Sequence, residues 1–322
     1  MIEAAVTSTS LDSLEDILRD DLAHCDAMTS TVVPILRHLL LSDGNSVFTD
    51  EILARVRGMV GDIAVQLLDE MQGAQSGRDS IAHDQSDIAG LSDRLIANSA
   101  FLRHVHALAL EGLLAGSLQA RLSLDPVLSP LMQALIASSD SDTAALAMRM
   151  LASQARFCQS QRRMKLPLGE LPGDLLHGAL EAMLAHAGED QDAQAKALAA
   201  ESAIRIRYDE GLTRLGMAAQ LVTGMGGGAI AALSVTHAGV AIFISALAIG
   251  SGLDRDETVL ATNEAQLARL ALSLRAAGMK PEGVAEQFLA LHPDIELPEG
   301  FEMIGADRAA AILAISGSCP GD

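Results

Sequence analysis

The chain has 322 residues but no Trp, one Tyr (Tyr208) and six Phe, so aromatic side chains are only 2% of it. Strand-rich chains usually draw on Tyr, Phe, Trp and Thr, whereas the apolar 49% here is built from Ala, Leu, Ile, Val and Met. Ala, Leu and Met favour helices, so an all-α fold is expected. Cysteine is also scarce. Cys25, Cys158 and Cys319 are far apart, odd in number and free of any C-x-x-C spacing. That speaks against a disulfide framework or a zinc knuckle and for free thiols in a reducing compartment. Basic residues number 22 against 42 acidic ones, giving a net charge of −20. Such a field repels phosphate backbones and anionic lipid, so no nucleic-acid partner is expected. The opening "MIEAAVTSTSLDSLEDILRDD" lacks a basic start followed by an apolar run and does not read as a secretory signal. A cytoplasmic protein of bacterial type is the simplest reading.

What the chain does contain is apolar residues at helical spacing. In "SLDSLEDILRDDLAHCDAM", Leu11, Leu14, Ile17, Leu18 and Leu22 fall on one face, with Ser10 or Asp12 as N-cap. A second helix is expected in "STVVPILRHLLLSDGNSVF", with Pro34 in its first turn and "SDGN" as its end. A third, "TDEILARVRGMVGDIAVQLLDEMQ", aligns Ile52, Leu53, Val56, Met59, Val60, Ile63, Ala64 and Leu67 in one stripe. Residues 73 to 93 turn polar and read as a loop holding at most one short helix. These features predict an N-terminal helical bundle (1–75), a linker (76–93), and stacked antiparallel helical hairpins over 94–322, an irregular α-solenoid-like array.

Between Arg214 and Asp254 no charged residue occurs, and "LVTGMGGGAIAALSVTHAGVAIFISALAIGSGL" fills residues 221–253. One spanning helix of about 20 residues would fit. The glycines at 224 and 226–228 oppose it, since each costs roughly 0.5–1 kcal/mol relative to Ala inside a helix. A helix ending near Gly224, a short helix, and a third capped by Ser234 or Thr236 are expected, buried at the centre of the protein. A membrane anchor is the alternative. No Lys follows the glycines and no strand precedes them, which excludes a Walker loop and a dinucleotide fingerprint.

Catalytic signatures are sparse. His104 and His106 are two apart and point in different directions on a helix, as do His24, Cys25 and Asp26. They read as ordinary helix residues, and no metal, cofactor or catalytic residue is expected. The acidic pairs Asp140/Asp142, Glu189/Asp190 and Asp254/Asp256 sit at breaks and read as helix caps. In "SDTAALAMRMLASQARFCQSQRRMK", however, Arg149, Ser153, Arg156, Ser160 and Arg163 recur at spacings of four and three, with Arg162 and Lys165 beside them. The bland reading is a solvated helix face neutralised by the surplus carboxylates. The functional one is an anion-recognising stripe, because a guanidinium donates paired hydrogen bonds to carboxylate or phosphate. Arg149, Arg156, Arg162, Arg163 and Lys165 are therefore the candidate contacts for an acidic or phosphorylated protein partner.

Two stretches, "FCQSQRRMKLPLGELPGDLLHGALEAML" and "LSVTHAGVAIFISALAIGSGLDRDETV" with its continuation "LATNEAQLARLALSLRAAGM", resemble a family of uncharacterised helical proteins from alphaproteobacteria. Its members carry an R-x-x-LP-x-x-x-LP link and a late F-x-x-ALA-x-x-(S/T)G helix. The matching residues are Arg163, Leu166, Pro167, Leu171 and Pro172, then Phe243, Ala246, Leu247, Ala248, Ser251 and Gly252. The resemblance spans roughly residues 120 to 295 and implies a soluble helical-repeat fold with no activity attached. Together these readings favour a noncatalytic adaptor or regulator that binds a protein partner, with self-association left open. A membrane-associated protein and an enzyme of unrecognised type are the alternatives.

Overall fold

A computed structural model describes residues 2–41, 50–73 and 82–316, and it is all-α. In chain order the helices are α1 (Ile2–Leu41), α2 (Asp50–Met71), α3 (Gln85–Ala97), α4 (Ser99–Leu122) and α5 (Pro130–Ile136). Next come α6 (Ser141–Gln161), α7 (Gly173–Ala187), α8 (Gln191–Arg207), α9 (Arg214–Gly224) and α10 (Val235–Ala238). The last are α11 (Val240–Ser251), α12 (Arg255–Ala261), α13 (Leu267–Ala276), α14 (Pro281–Leu291) and α15 (Ala306–Ser316). Short 3-10 turns join several of them, and no strand occurs among the described residues.

The chain divides into two compact units. One takes residues up to Val32, then Leu113–Met148, then Ala218 onward; the other takes Val33–Gly112 and Arg149–Met217. Each is assembled from separated stretches, whereas composition suggested consecutive domains meeting at 76–93.

In the unit containing α2, the apolar stripe does what its spacing requires. Leu53, Val56, Met59, Val60, Ile63, Ala64 and Leu67 are all buried, and Ile52 packs at their edge. They meet α3, α7 and α8, and Phe101, Leu102, Val105 and Leu108 of α4 join the same core. The polar text expected to be a loop is helical from Gln85. Asp84 accepts a hydrogen bond from Ser86 N–H at its start, and Leu91, Leu95 and Ile96 supply a buried face. The rest of that expected linker, residues 76–81, lies outside the described residues, as do the "SDGN" break and Cys319.

The other unit is built around α11, where every residue from Val240 to Ala248 is buried. Helix α11 packs on α13, which packs on α15. The contact is close: a Cβ on Gly250 would lie 2.7 Å from the Ala277 Cβ. The breaks fall at glycine, with α9 ending at Gly224 and Gly239 (φ +75°) separating α10 from α11, so α11 starts after Gly239 without a side-chain cap rather than from Ser234 or Thr236. The glycine run itself, however, is exposed, and the core residues of 221–253 are Leu221, Val222 and most of the stretch from Ala232 to Ala248. Among the described residues no single helix is long and apolar enough to cross a membrane. Only α9 taken with the 3-10 stretch Gly226–Leu233 reaches that length, and the two are bent by 120°.

Two expectations for the N-terminal region need correction. Helix α1 begins at Ile2, so Ser10 and Asp12 lie inside it rather than capping it. It also runs through Pro34 as one element, because a single proline removes one N–H donor while the leucines on either side, Leu22 and Leu36, stay buried. The acidic pairs behave as capping groups. Asp140, Asp190 and Asp254 accept hydrogen bonds from the N–H groups of Thr143, Ala193 and Asp256, respectively.

Candidate functional site

Helix α6 begins after Asp140, whose carboxylate also accepts from the Thr143 hydroxyl and is held below its ordinary pKa by it. Met150 and Phe157 face the core, which turns Arg149 and Arg156 outward to solvent. The expected five-residue stripe is not uniform. Ser153 lies on the border of the buried face, only 1% exposed, and donates to Glu170 Oε1 at 3.1 Å.

Helix α6 stops at Gln161, so Arg162, Arg163 and Lys165 belong to the turn that follows. Met164 adopts a left-handed φ of +55°. Its N–H donates to the Gln161 carbonyl at 3.0 Å, and Lys165 N–H donates to the Ser160 carbonyl at 3.0 Å. These two bonds close the helix as a Schellman motif with methionine where glycine is usual. Lys165 Nζ forms an ion pair with Asp62 Oδ1 of α2 at 3.1 Å, while Asp62 Oδ2 accepts from Leu166 N–H and from Gln66 Nε2. Lys165 thus ties the turn to α2. Arg149, Arg156, Arg162 and Arg163 are exposed, and none forms an ion pair with a described carboxylate.

Beneath α6 lies a network that sequence reading missed. Arg214, 1% exposed at the start of α9, donates to Glu111 of α4 through Nη1 at 2.6 Å and Nη2 at 3.3 Å. Gln154 Oε1 lies 3.4 Å from the same Nη1, and the guanidinium sits 3.7 Å from the centroid of the Phe157 ring. Arg214 N–H donates to Glu170 Oε2, the carboxylate that also holds Ser153. One signal was present in the sequence: Glu111 is the lone carboxylate in the apolar text of α4. The network fixes the inner face of α6 and so sets the direction of its arginines.

Burial pushes the Cys158 thiol up, with Arg214 offsetting part of the effect, so it is not poised as a thiolate. His104 and His106 are both buried, since α4 is enclosed on all sides there. His24 is exposed, and Asp26 pairs with Arg269. A cleft of about 380 Å³ lies between Gln66, Glu70, Leu176, Ile204, Arg207 and Tyr208. Its polar groups already satisfy one another: Arg207 holds Glu70 at 2.7 Å, and Tyr208 OH donates to the Leu171 carbonyl at 2.8 Å. Burial, reinforced by Glu210 and other carboxylates, pushes Tyr208 up to about 12. Among the described residues no group of three or more His, Cys, Asp or Glu could hold a metal ion.

Comparison with protein-family models, with curated proteins and with solved structures gives no match.

Proposed function

We propose that the protein is a noncatalytic adaptor or regulator that binds an acidic or phosphorylated segment of a partner protein through Arg149, Arg156, Arg162 and Arg163. One observation carries this reading. On a chain with 42 acidic and 22 basic residues, four arginines within fifteen positions stay exposed and unpaired with any described carboxylate. Arg19, Arg55 and Arg205, by contrast, pair with carboxylates of their own helices. Guanidinium groups left free are available for paired hydrogen bonds to an anionic partner.

The test is capture of a partner from lysate by the full chain, washed at low and high salt, alongside the double variant Arg156→Glu and Arg163→Glu. Both positions are exposed, so the fold is expected to survive. A partner released by salt and absent from the variant supports the reading. Equal capture by the variant removes these arginines from the interface.

A further inference from the structure

A second cleft, of about 450 Å³, runs between α1 and α15, within the unit built around α11. Its apolar surface comes from Leu22, Ala23, Ala27, Ile312 and Ile315. Small-molecule sites are of this size and this mostly apolar character, with a few placed polar groups. Three polar residues reach the cleft: Arg19, Asp26 and Ser30. Arg19 is already committed, donating to Glu15 at 3.2 Å and to Asp16 at 3.0 Å. Asp26 is half committed. Its Oδ1 receives Arg269, while Oδ2 accepts no hydrogen bond from a described residue. Ser30 Oγ donates to the Ala27 carbonyl at 2.8 Å and keeps its accepting lone pairs.

The wall behind Asp26 is under-satisfied too. Arg269 and Gln266 are buried, and Arg269 Nε and Gln266 Oε1 have no hydrogen-bond partner among the described residues. The local charge is acidic. Residues 15–30 carry Glu15, Asp16, Asp20, Asp21 and Asp26 against Arg19, and Arg269 and Arg308 supply the other cations that contact them. The cleft therefore offers hydrocarbon contact along its floor and an unsatisfied, charged acceptor at its side. We propose that it binds a small cationic amphiphile, an amine whose apolar body lies along Ala23 and Ala27 and whose ammonium donates to Asp26 Oδ2. An anionic head would meet the carboxylate surplus, with the Arg19 charge already taken up.

Three probes with one tail and different heads separate the contributions: octylamine, octanol and octanoate, titrated into the full chain at physiological salt with the melting temperature as readout. Octylamine is expected to raise it at concentrations about tenfold below those needed for octanol, with octanoate weakest. Ala27→Trp fills the cleft from an exposed position and leaves the net charge unchanged, so it is expected to abolish the octylamine shift; Ala23→Phe serves if that variant does not fold. Asp26→Asn, which keeps an oxygen for Arg269, is expected to bring octylamine down to the level of octanol. An octylamine shift that survives both cleft-filling variants is diffuse attraction to an acidic chain and overturns the proposal. Equal shifts with all three heads, or none with any, overturn it as well.

Discussion

Arg214 and Glu111 are 103 positions apart in sequence, yet they share two hydrogen bonds at a site nearly closed to solvent. A pair of that kind is worth little relative to an apolar substitute of the same shape, but breaking it strands one charge in the interior. Glu111→Leu alone is expected to lower stability by about 3–5 kcal/mol, measured as the shift of the urea midpoint at unchanged slope. The double variant Glu111→Leu with Arg214→Met is expected to recover most of the loss, because neither charge is then left uncompensated. A second residue-scale effect concerns protons. His292 is 8% exposed, its Nε2 has no partner, and burial holds its pKa below the ordinary value of 6.5 despite Glu264 nearby, with Arg121 adding to the depression. The unfolded chain then takes up the proton more readily than the folded one. Stability is full above about pH 6.5 and falls as the pH drops through the window below it. His292→Leu is expected to flatten that slope between about pH 7 and pH 5.5, read as melting temperature against pH.

At the scale of the element, the turn after α6 depends on a glycine in α2. A Cβ on Gly58 would lie 2.6 Å from the Met164 Cβ and 2.8 Å from its carbonyl oxygen, neither of which can swing away. Gly58→Ala gains up to about 1 kcal/mol of helix propensity, but the forced displacement costs about 1–3 kcal/mol, so net destabilisation is expected. Gly61, one turn on in the same helix, has open space where a methyl group would sit, with nothing within 4 Å. Gly61→Ala is expected to stabilise by about 0.5–1 kcal/mol. Thermal unfolding of the two variants side by side checks both signs. These contacts also mark the limit of what the sequence disclosed. Helical periodicity identified the α2 stripe, and capping chemistry identified Asp140, Asp190 and Asp254, because both are written within a few consecutive residues. The exposed arginines of α6 were legible for the same reason. Helix α3 was not, since its serines and aspartates have low intrinsic propensity and three buried apolar residues override it. Lys165 pairing with Asp62, Ser153 turning toward Glu170, and Glu111 meeting Arg214 each join distant segments, which spacing within one helix cannot reveal.

For the whole molecule, the decisive fact is that each unit is stitched from separated stretches of chain. Composition places a boundary near residues 76–93 and so marks 94–322 as the fragment to express. In the unit that carries the arginines, that fragment lacks Leu53, Val56, Met59, Val60, Ile63 and Leu67, all of them core residues. Full burial of one such side chain contributes about 1.5–3 kcal/mol, so their combined loss matches or exceeds the 5–15 kcal/mol by which domains are ordinarily stable. The other unit loses Leu14, Leu18, Leu22 and Cys25 of α1 at the same cut. The 94–322 fragment is therefore expected to keep helical content but to lose a cooperative transition, seen as a broad melt by circular dichroism. Supplying residues 1–93 as a separate chain is expected to restore a sharp one, because it returns α1 to one core and α2, with Leu91 of α3, to the other. A fragment that melts cooperatively by itself would show that the later helices form a core without α2. The turn bearing Arg162 and Arg163 would then owe nothing to Asp62 or Gly58.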